Sequence, residues 1–98
     1  MIEVRKTDVF SNWFNGLKDR KAKARIQARI DRVEMGNFGD VAPVGEGVSE
    51  LRIFYRPGYR VYYVQQGEVV VILLSGGNKS TQSADIAKAK ELAKQLKG

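Results

Sequence analysis

Six consecutive apolar residues, Val69-Val70-Val71-Ile72-Leu73-Leu74, constrain this chain more than any other feature. The run is far shorter than the roughly 20 residues needed to cross a bilayer, and its Val and Ile content favours a strand. A strand that is apolar at every position has no face to turn to water. It therefore predicts a central strand covered on both sides, and the rest of the chain supplies its neighbours and its cover.

Two strands precede it. Glu50 to Arg56 alternates well, Arg56-Pro57-Gly58-Tyr59 makes a turn, Arg60 to Gln65 is rich in Val and Tyr, and Gln66-Gly67 turns again. Ile2 to Lys6 alternates as a short strand, after which Thr7 or Asp8 can cap a helix. In that helix Val9, Phe10, Trp13, Phe14 and Leu17 share one face, and Gly16 weakens its end near Lys18. A second helix from about Asp19 to Met35 aligns Ala22, Ile26, Ile30 and Val33, with Arg20, Lys21, Lys23, Arg25, Arg29 and Arg32 mostly on solvated surface, and Gly36 stops it. The short joint between the helices predicts an antiparallel hairpin. Asn37 to Gly47 reads as an exposed connection. A third helix starts near Ser80 or Thr81, with Asp85 in its first turn and Ile86, Ala89, Ala93 and Leu96 facing inward.

The predicted order is β-α-α-β-β-β-α. This is an α+β fold in one domain, residues 1–98, with a mostly antiparallel twisted sheet packed against an N-terminal helical hairpin and followed by a C-terminal helix. Phe10, Trp13, Phe14, Ile26, Ile30, Val33, Ile72 and Leu74 are expected in one core under the hairpin.

The charge balance bears on partners. Seventeen Lys plus Arg against eleven Asp plus Glu leave a net charge of +6, which favours nucleic acid or an acidic protein partner, although it also serves solubility. The sequence contains neither Cys nor His, so disulfides, thiolate chemistry and ordinary zinc sites are excluded, as is a histidine proton shuttle. No calcium-loop spacing occurs among the carboxylates. No metal or other cofactor is expected. The N-terminus lacks the apolar run of a signal peptide and no segment suits a membrane span, which points to the cytoplasm.

Chemistry must then rest on cations, hydroxyls, amides and carboxylates. A strand from Glu50 to Arg56 would put Arg52, Phe54 and Arg56 on one face, where two guanidiniums could hold a phosphate and the ring could stack a base. An ordinary solvated strand face has the same pattern. Arg60, just after the turn, is brought towards the same end of the sheet, unless it merely pairs with Glu68 or Glu50 across the strands. Gly76-Gly77-Asn78-Lys79-Ser80-Thr81 links a strand to a helix start, so its amides could receive an anion beside Lys79; a plain helix cap reads identically. It is no Walker loop, because the GxxxxGK[ST] spacing is absent.

Taken together, Glu50-Leu51-Arg52-Ile53, Gly58-Tyr59-Arg60-Val61-Tyr62-Tyr63, Leu73-Leu74 and Gly76-Gly77-Asn78-Lys79-Ser80-Thr81-Gln82, ending in Asp85-Ile86, resemble the RelE/ParE toxin superfamily. The likeness is strongest to its phage-derived, HigB-like (Gp49-like) branch of addiction-module killer proteins. It implies a RelE-like fold and the toxin of a type II toxin-antitoxin module, acting as a ribosome-dependent, metal-independent endoribonuclease on messenger RNA. Arg52, Arg60 and Lys79 match the catalytic cations by position, Arg56 and Gln82 are RNA-binding candidates, and Asp85 stands roughly where RelE has its tyrosine. The last helix lacks the aromatic residue found in many nucleolytic members, which leaves the proton-transfer role open: Asp85 or one of Tyr59, Tyr62 and Tyr63 could assist, and ribosomal RNA could supply part of the geometry. The implied partners are a cognate antitoxin of the helix-turn-helix type, the ribosome and messenger RNA, with operator DNA met only through the antitoxin. Two alternatives stay open: a ParE-type inhibitor of DNA gyrase, and a non-enzymatic nucleic-acid-binding module.

Overall fold

The computed structural model describes residues 1–97. Its elements are β1 (Glu3–Lys6), α1 (Asp8–Gly16), α2 (Arg20–Glu34), β2 (Val41–Gly45), β3 (Val48–Ile53), β4 (Tyr59–Gln66), β5 (Val70–Asn78) and α3 (Gln82–Lys97), the last preceded by one 3-10 turn, Lys79–Thr81. They form a five-stranded sheet in the order β1-β5-β4-β3-β2. Among the described residues only the β1–β5 pairing is parallel.

The apolar run is an inner strand, as its composition requires. β5 lies between β1 and β4, with α1 and α2 over one face of the sheet and α3 over the other. Val71 and Leu73 point to the helical hairpin, where they meet Phe10, Ala22, Ile26, Ile30 and Val33. Ile72 and Leu74 point the opposite way, towards Ala89 and Ala93 of α3. The single core expected under the hairpin is therefore two cores, because the strand's period of two sends alternate side chains to opposite faces. In α3, Leu92 packs against the second core while Leu96 is 43% exposed, so the inward stripe ends one turn earlier than expected.

Local chemistry sets the helix boundaries. Thr7 Oγ1 accepts from Phe10 N at 3.1 Å and donates to the Leu74 carbonyl at 2.6 Å, capping α1 and tying it to β5. Asp19 caps α2 by accepting from Lys21 N and Ala22 N at 3.0 and 3.1 Å.

Three segments differ from the sequence reading. The expected connection at Asn37 to Gly47 contains an edge strand, β2, whose Val41 and Ala42 pair with Leu51 and Glu50. Pro43 sits where an edge tolerates a missing donor, and the Glu46-Gly47 turn has the positive φ values of a tight hairpin. Next, β3 stops at Ile53 and does not reach Arg56. Tyr55 N turns back to the Ile53 carbonyl at 2.9 Å and Gly58 N to the Tyr55 carbonyl at 2.7 Å, leaving Phe54 to Gly58 as a loop with a cis Arg56–Pro57 peptide. Finally, β5 continues through Gly76 and Gly77, which pair with Val61 and Arg60. Those glycines provide space: a Cβ on Gly76 would lie 2.3 Å from the Trp13 ring, and one on Gly77 1.8 Å from Asp85 Oδ2.

Arg29 also departs from the solvated surface expected for the α2 cations. Its guanidinium donates to the carbonyls of Phe38 at 2.9 Å, of Asp40 at 3.3 Å and of Arg52, and so fixes the α2–β2 connection to the end of β3. Burial, reinforced by Arg32, lowers its pKa against an opposing pull from Asp40. Among the described residues no helix is long and apolar enough to cross a membrane.

Candidate functional site

The registers of β3, β4 and β5 bring the candidate residues to one end of the sheet. Arg52 is directly opposite Arg60, and Arg60 opposite Gly77. The next rung aligns Glu50, Tyr62 and Ser75. Both rungs face the α3 side.

Glu50 is the hub of this cluster, and it is only 4% exposed. Its Oε2 accepts from Arg52 Nε at 3.1 Å, and its Oε1 accepts from Gln82 Nε2, also at 3.1 Å. Arg60 Nε lies 3.5 Å from the same Oε1, an ion pair whose alignment falls short of a hydrogen bond. Arg60 Nη1 donates to the Gly58 carbonyl at 3.1 Å. Arg52 Nη1 is 3.8 Å from Asp40 Oδ1. One buried carboxylate thus fixes two guanidiniums and an amide contributed by β3, β4 and α3. The sequence reading allowed Glu50 only as a pairing partner for Arg60, and its own alternation could have marked it: a Glu between Val48 and Arg52 on a face that otherwise buries valine is an unusual choice without a partner.

On the outer side, Arg60 lines an open depression of about 440 Å³ with Arg56, Lys79, Phe54, Tyr55, Pro57 and Gly58. Three of the predicted cations therefore converge here, although Arg56 arrives from the loop and not from a strand face shared with Arg52. Arg52 and Gln82 touch Arg60's carboxylate partner and do not line the depression. Arg60 belongs to both groups: its Nε faces Glu50 while the head of the side chain borders the open space.

Of the two readings of the Gly76–Thr81 segment, anion cradle or plain helix cap, the structure shows the cap. Gly76 and Gly77 are within the β4–β5 ladder, and Asn78 Oδ1 already accepts from Ser80 N at 2.9 Å. Lys79 remains as an exposed cation at the rim. Asp85 packs over Gly77 and accepts a hydrogen bond from Thr81 Oγ1.

The tyrosines separate by strand face. Tyr59 and Tyr63 belong to the core under the hairpin, against Trp13 and Phe38 respectively, and so lie across the sheet from Arg60. Tyr62 is on the Arg60 side and fully buried, its hydroxyl without a partner among the described residues. Burial, with Glu50 and Asp85 nearby, pushes its pKa up to about 12 against the opposing effect of Arg60. It stays protonated at neutral pH, so it is no base. No group of three or more potential metal ligands occurs among the described residues.

Residues 12–97 match the family described as "Phage derived protein Gp49-like (DUF891)". The chain is also 52% identical over 95 residues to an uncharacterised protein of Haemophilus influenzae, covering 97% of this chain and 96% of that relative. The matched region includes every residue of the cluster and of the depression.

Proposed function

This chain belongs to the phage-derived Gp49-like family, and we propose on that premise that it is the toxin of a type II toxin-antitoxin module, a ribosome-dependent endoribonuclease that cleaves messenger RNA. One observation carries the reading: the permanently charged fork of Arg60, braced from behind by Glu50 and the Gly58 carbonyl, borders a depression shared with Arg56 and Lys79. A preorganised guanidinium of this kind suits a phosphate that gains negative charge during reaction.

In the proposed step the RNA 2′-oxygen attacks the adjacent phosphorus, the P–O5′ bond breaks, and the products are a 2′,3′-cyclic phosphate and a 5′-hydroxyl. Arg60 and Lys79 stabilise the phosphorane oxygens, while Arg52 holds the Glu50 carboxylate in register and adds positive potential. Arg56 contacts the RNA backbone, and Gln82 keeps Glu50 in place from α3. Arg and Lys are both cationic at neutral pH, which makes neither a proton acceptor. Asp85 takes the 2′-hydroxyl proton in this reading, and the 5′-oxygen leaves with a proton from water or ribosomal RNA. No metal enters the scheme.

The partner follows from the hazard of such an activity: a cognate antitoxin, of the helix-turn-helix type by resemblance, restrains the toxin and carries any operator binding. The test is to incubate the protein with translating ribosomes and map messenger RNA ends. Cuts within coding regions that leave cyclic phosphate ends support the proposal. Intact RNA accompanied by damaged DNA would replace it with gyrase inhibition.

A further inference from the structure

A second basic hollow adjoins the first. Arg25, Arg29 and Arg32 recur at i, i+4 and i+7 on α2, and with Ile53 they line a depression of about 230 Å³ between that helix and the end of β3. Phe54 lines both hollows and forms the ridge between them. Phe54 is 78% exposed, whereas the adjoining Ile53 is buried at 4%. Tyr55, the next residue, packs against the core and holds the Arg25 guanidinium 5.0 Å from its ring centroid, so the base of the ridge is anchored.

The chemistry of this surface is selective. Every charged side chain lining either hollow is a cation. Arg29 is committed to three backbone carbonyls, but neither Arg25 nor Arg32 has an ion-pair partner among the described residues. A ligand must then offer negative charge on both sides of a flat apolar ring. Single-stranded nucleic acid does so by construction, with phosphates in series and a base between them that can stack on an aromatic side chain. An acidic peptide matches the charges and leaves the ring without a flat partner.

We infer that Phe54 is a base-stacking platform and that Arg25 and Arg32 form a second phosphate-binding site, extending the RNA path from Arg60 and Lys79 over the ridge onto α2. This rests on the ribonuclease reading and adds to it a subsite for a nucleotide flanking the cleaved bond.

The experiment is a cycle of single-turnover cleavage on ribosomes programmed with a short messenger RNA, using the parent protein and Phe54→Ala. Each is assayed on intact RNA and on RNAs carrying one abasic nucleotide at successive positions flanking the cut. Loss of a stacked base should slow the parent about 5- to 100-fold at one position, Phe54→Ala should show a similar loss on intact RNA, and the two changes together should cost no more than either alone. Phe54→Trp, which keeps an aromatic face, should recover most of the loss seen in Phe54→Ala. Arg25→Gln combined with Arg32→Gln should lower the salt slope of association by about 1.4, the value for two phosphates of a single strand. Multiplicative losses from Phe54→Ala and the abasic sites, or parent rates in the variants, would overturn the subsite and leave the ribonuclease reading intact. Variants that cleave normally but lose antitoxin binding would reassign the ridge to a protein partner and overturn it equally. A parent protein that cuts no RNA on ribosomes removes both proposals.

Discussion

Glu50 Oε1 stands 3.5 Å from Arg60 Nε across neighbouring strands, with the carboxylate almost wholly buried. The contact fixes the inner edge of a guanidinium whose side chain borders the depression, so in the proposed mechanism Glu50 positions Arg60 and does not itself touch RNA. Glu50→Gln preserves the shape but removes the countercharge of both Arg60 and Arg52. It should lower stability by about 1 to 3 kcal/mol, the usual range for a disrupted buried polar contact, and slow cleavage at least tenfold as Arg60 loses its fixed geometry. Single-turnover rates at saturating protein should fall while ribosome affinity changes little. Equal losses in both would mean that Glu50 only supports the fold.

Arg60→Ala should slow messenger RNA cleavage about 100- to 1000-fold, by analogy with loss of one oxyanion donor, and Arg60→Lys should recover only part because an ammonium lacks the planar fork. A polar residue near the surface is ordinarily removed with little effect on folding. Here its removal leaves Glu50 with only Arg52 and Gln82 in a nearly dry site, so the variant should also lose about 1 to 3 kcal/mol. Cleavage assays beside thermal melts separate the two effects, and a full parent rate in a folded Arg60→Ala protein would remove Arg60 from the mechanism.

How far the sequence disclosed these features depended on whether their cause was local. The Val69–Leu74 run announced an inner strand because six apolar positions satisfy only one environment, and the α2 stripe of Ala22, Ile26, Ile30 and Val33 carried its own period. Gly76 and Gly77 looked like a loop because glycine usually signals backbone freedom. Their actual constraint comes from Trp13 and Asp85, distant in sequence, whose side chains occupy the space a Cβ would need. Pro43 and the nearby glycines likewise concealed an edge strand that only its partner β3 specifies. In the site, the cations were legible one by one through type and position. Glu50's hold on three of the candidate residues was not, because it depends on strand register and on where α3 lands.

The Trp13–Gly76 contact offers a test of the packing itself. A methyl group on Gly76 would meet the indole at 2.3 Å, so Gly76→Ala should destabilise by about 1 to 3 kcal/mol through overpacking. Trp13→Ala alone should cost about 2 to 4 kcal/mol through lost burial and a cavity, below the roughly 3 to 5 kcal/mol of a fully buried aromatic because the ring is only partly buried. In the Trp13→Ala background the added methyl has room, and Gly76→Ala should then be nearly neutral or stabilising. Denaturant melts of the four proteins give the coupling directly. Strict additivity would show that the indole does not lie over Gly76.

Tyr62 makes stability depend on alkaline pH. Its phenol is buried without a partner among the described residues, and its pKa rises from an unfolded value of about 10 to about 12 in the folded chain. The unfolded state therefore releases this proton first. On the folded side the group contributes stability that is fully present below about pH 10 and is lost as pH climbs through 12, because ν for the unfolded state drops below ν for the native state and the slope of unfolding free energy becomes negative. Lysine ionisation is superimposed on the same range, so the informative quantity is the difference between the parent and Tyr62→Phe. Deleting a hydroxyl that has no hydrogen bond should be close to neutral at about pH 8, and the variant should gain on the parent as pH rises above 10. Denaturant melts at a series of pH values measure the gap, and absorbance near 295 nm should show a parent tyrosine whose ionisation is delayed until unfolding. Parallel stability curves for the two proteins would mean that the Tyr62 hydroxyl is reached by water and titrates like an ordinary phenol.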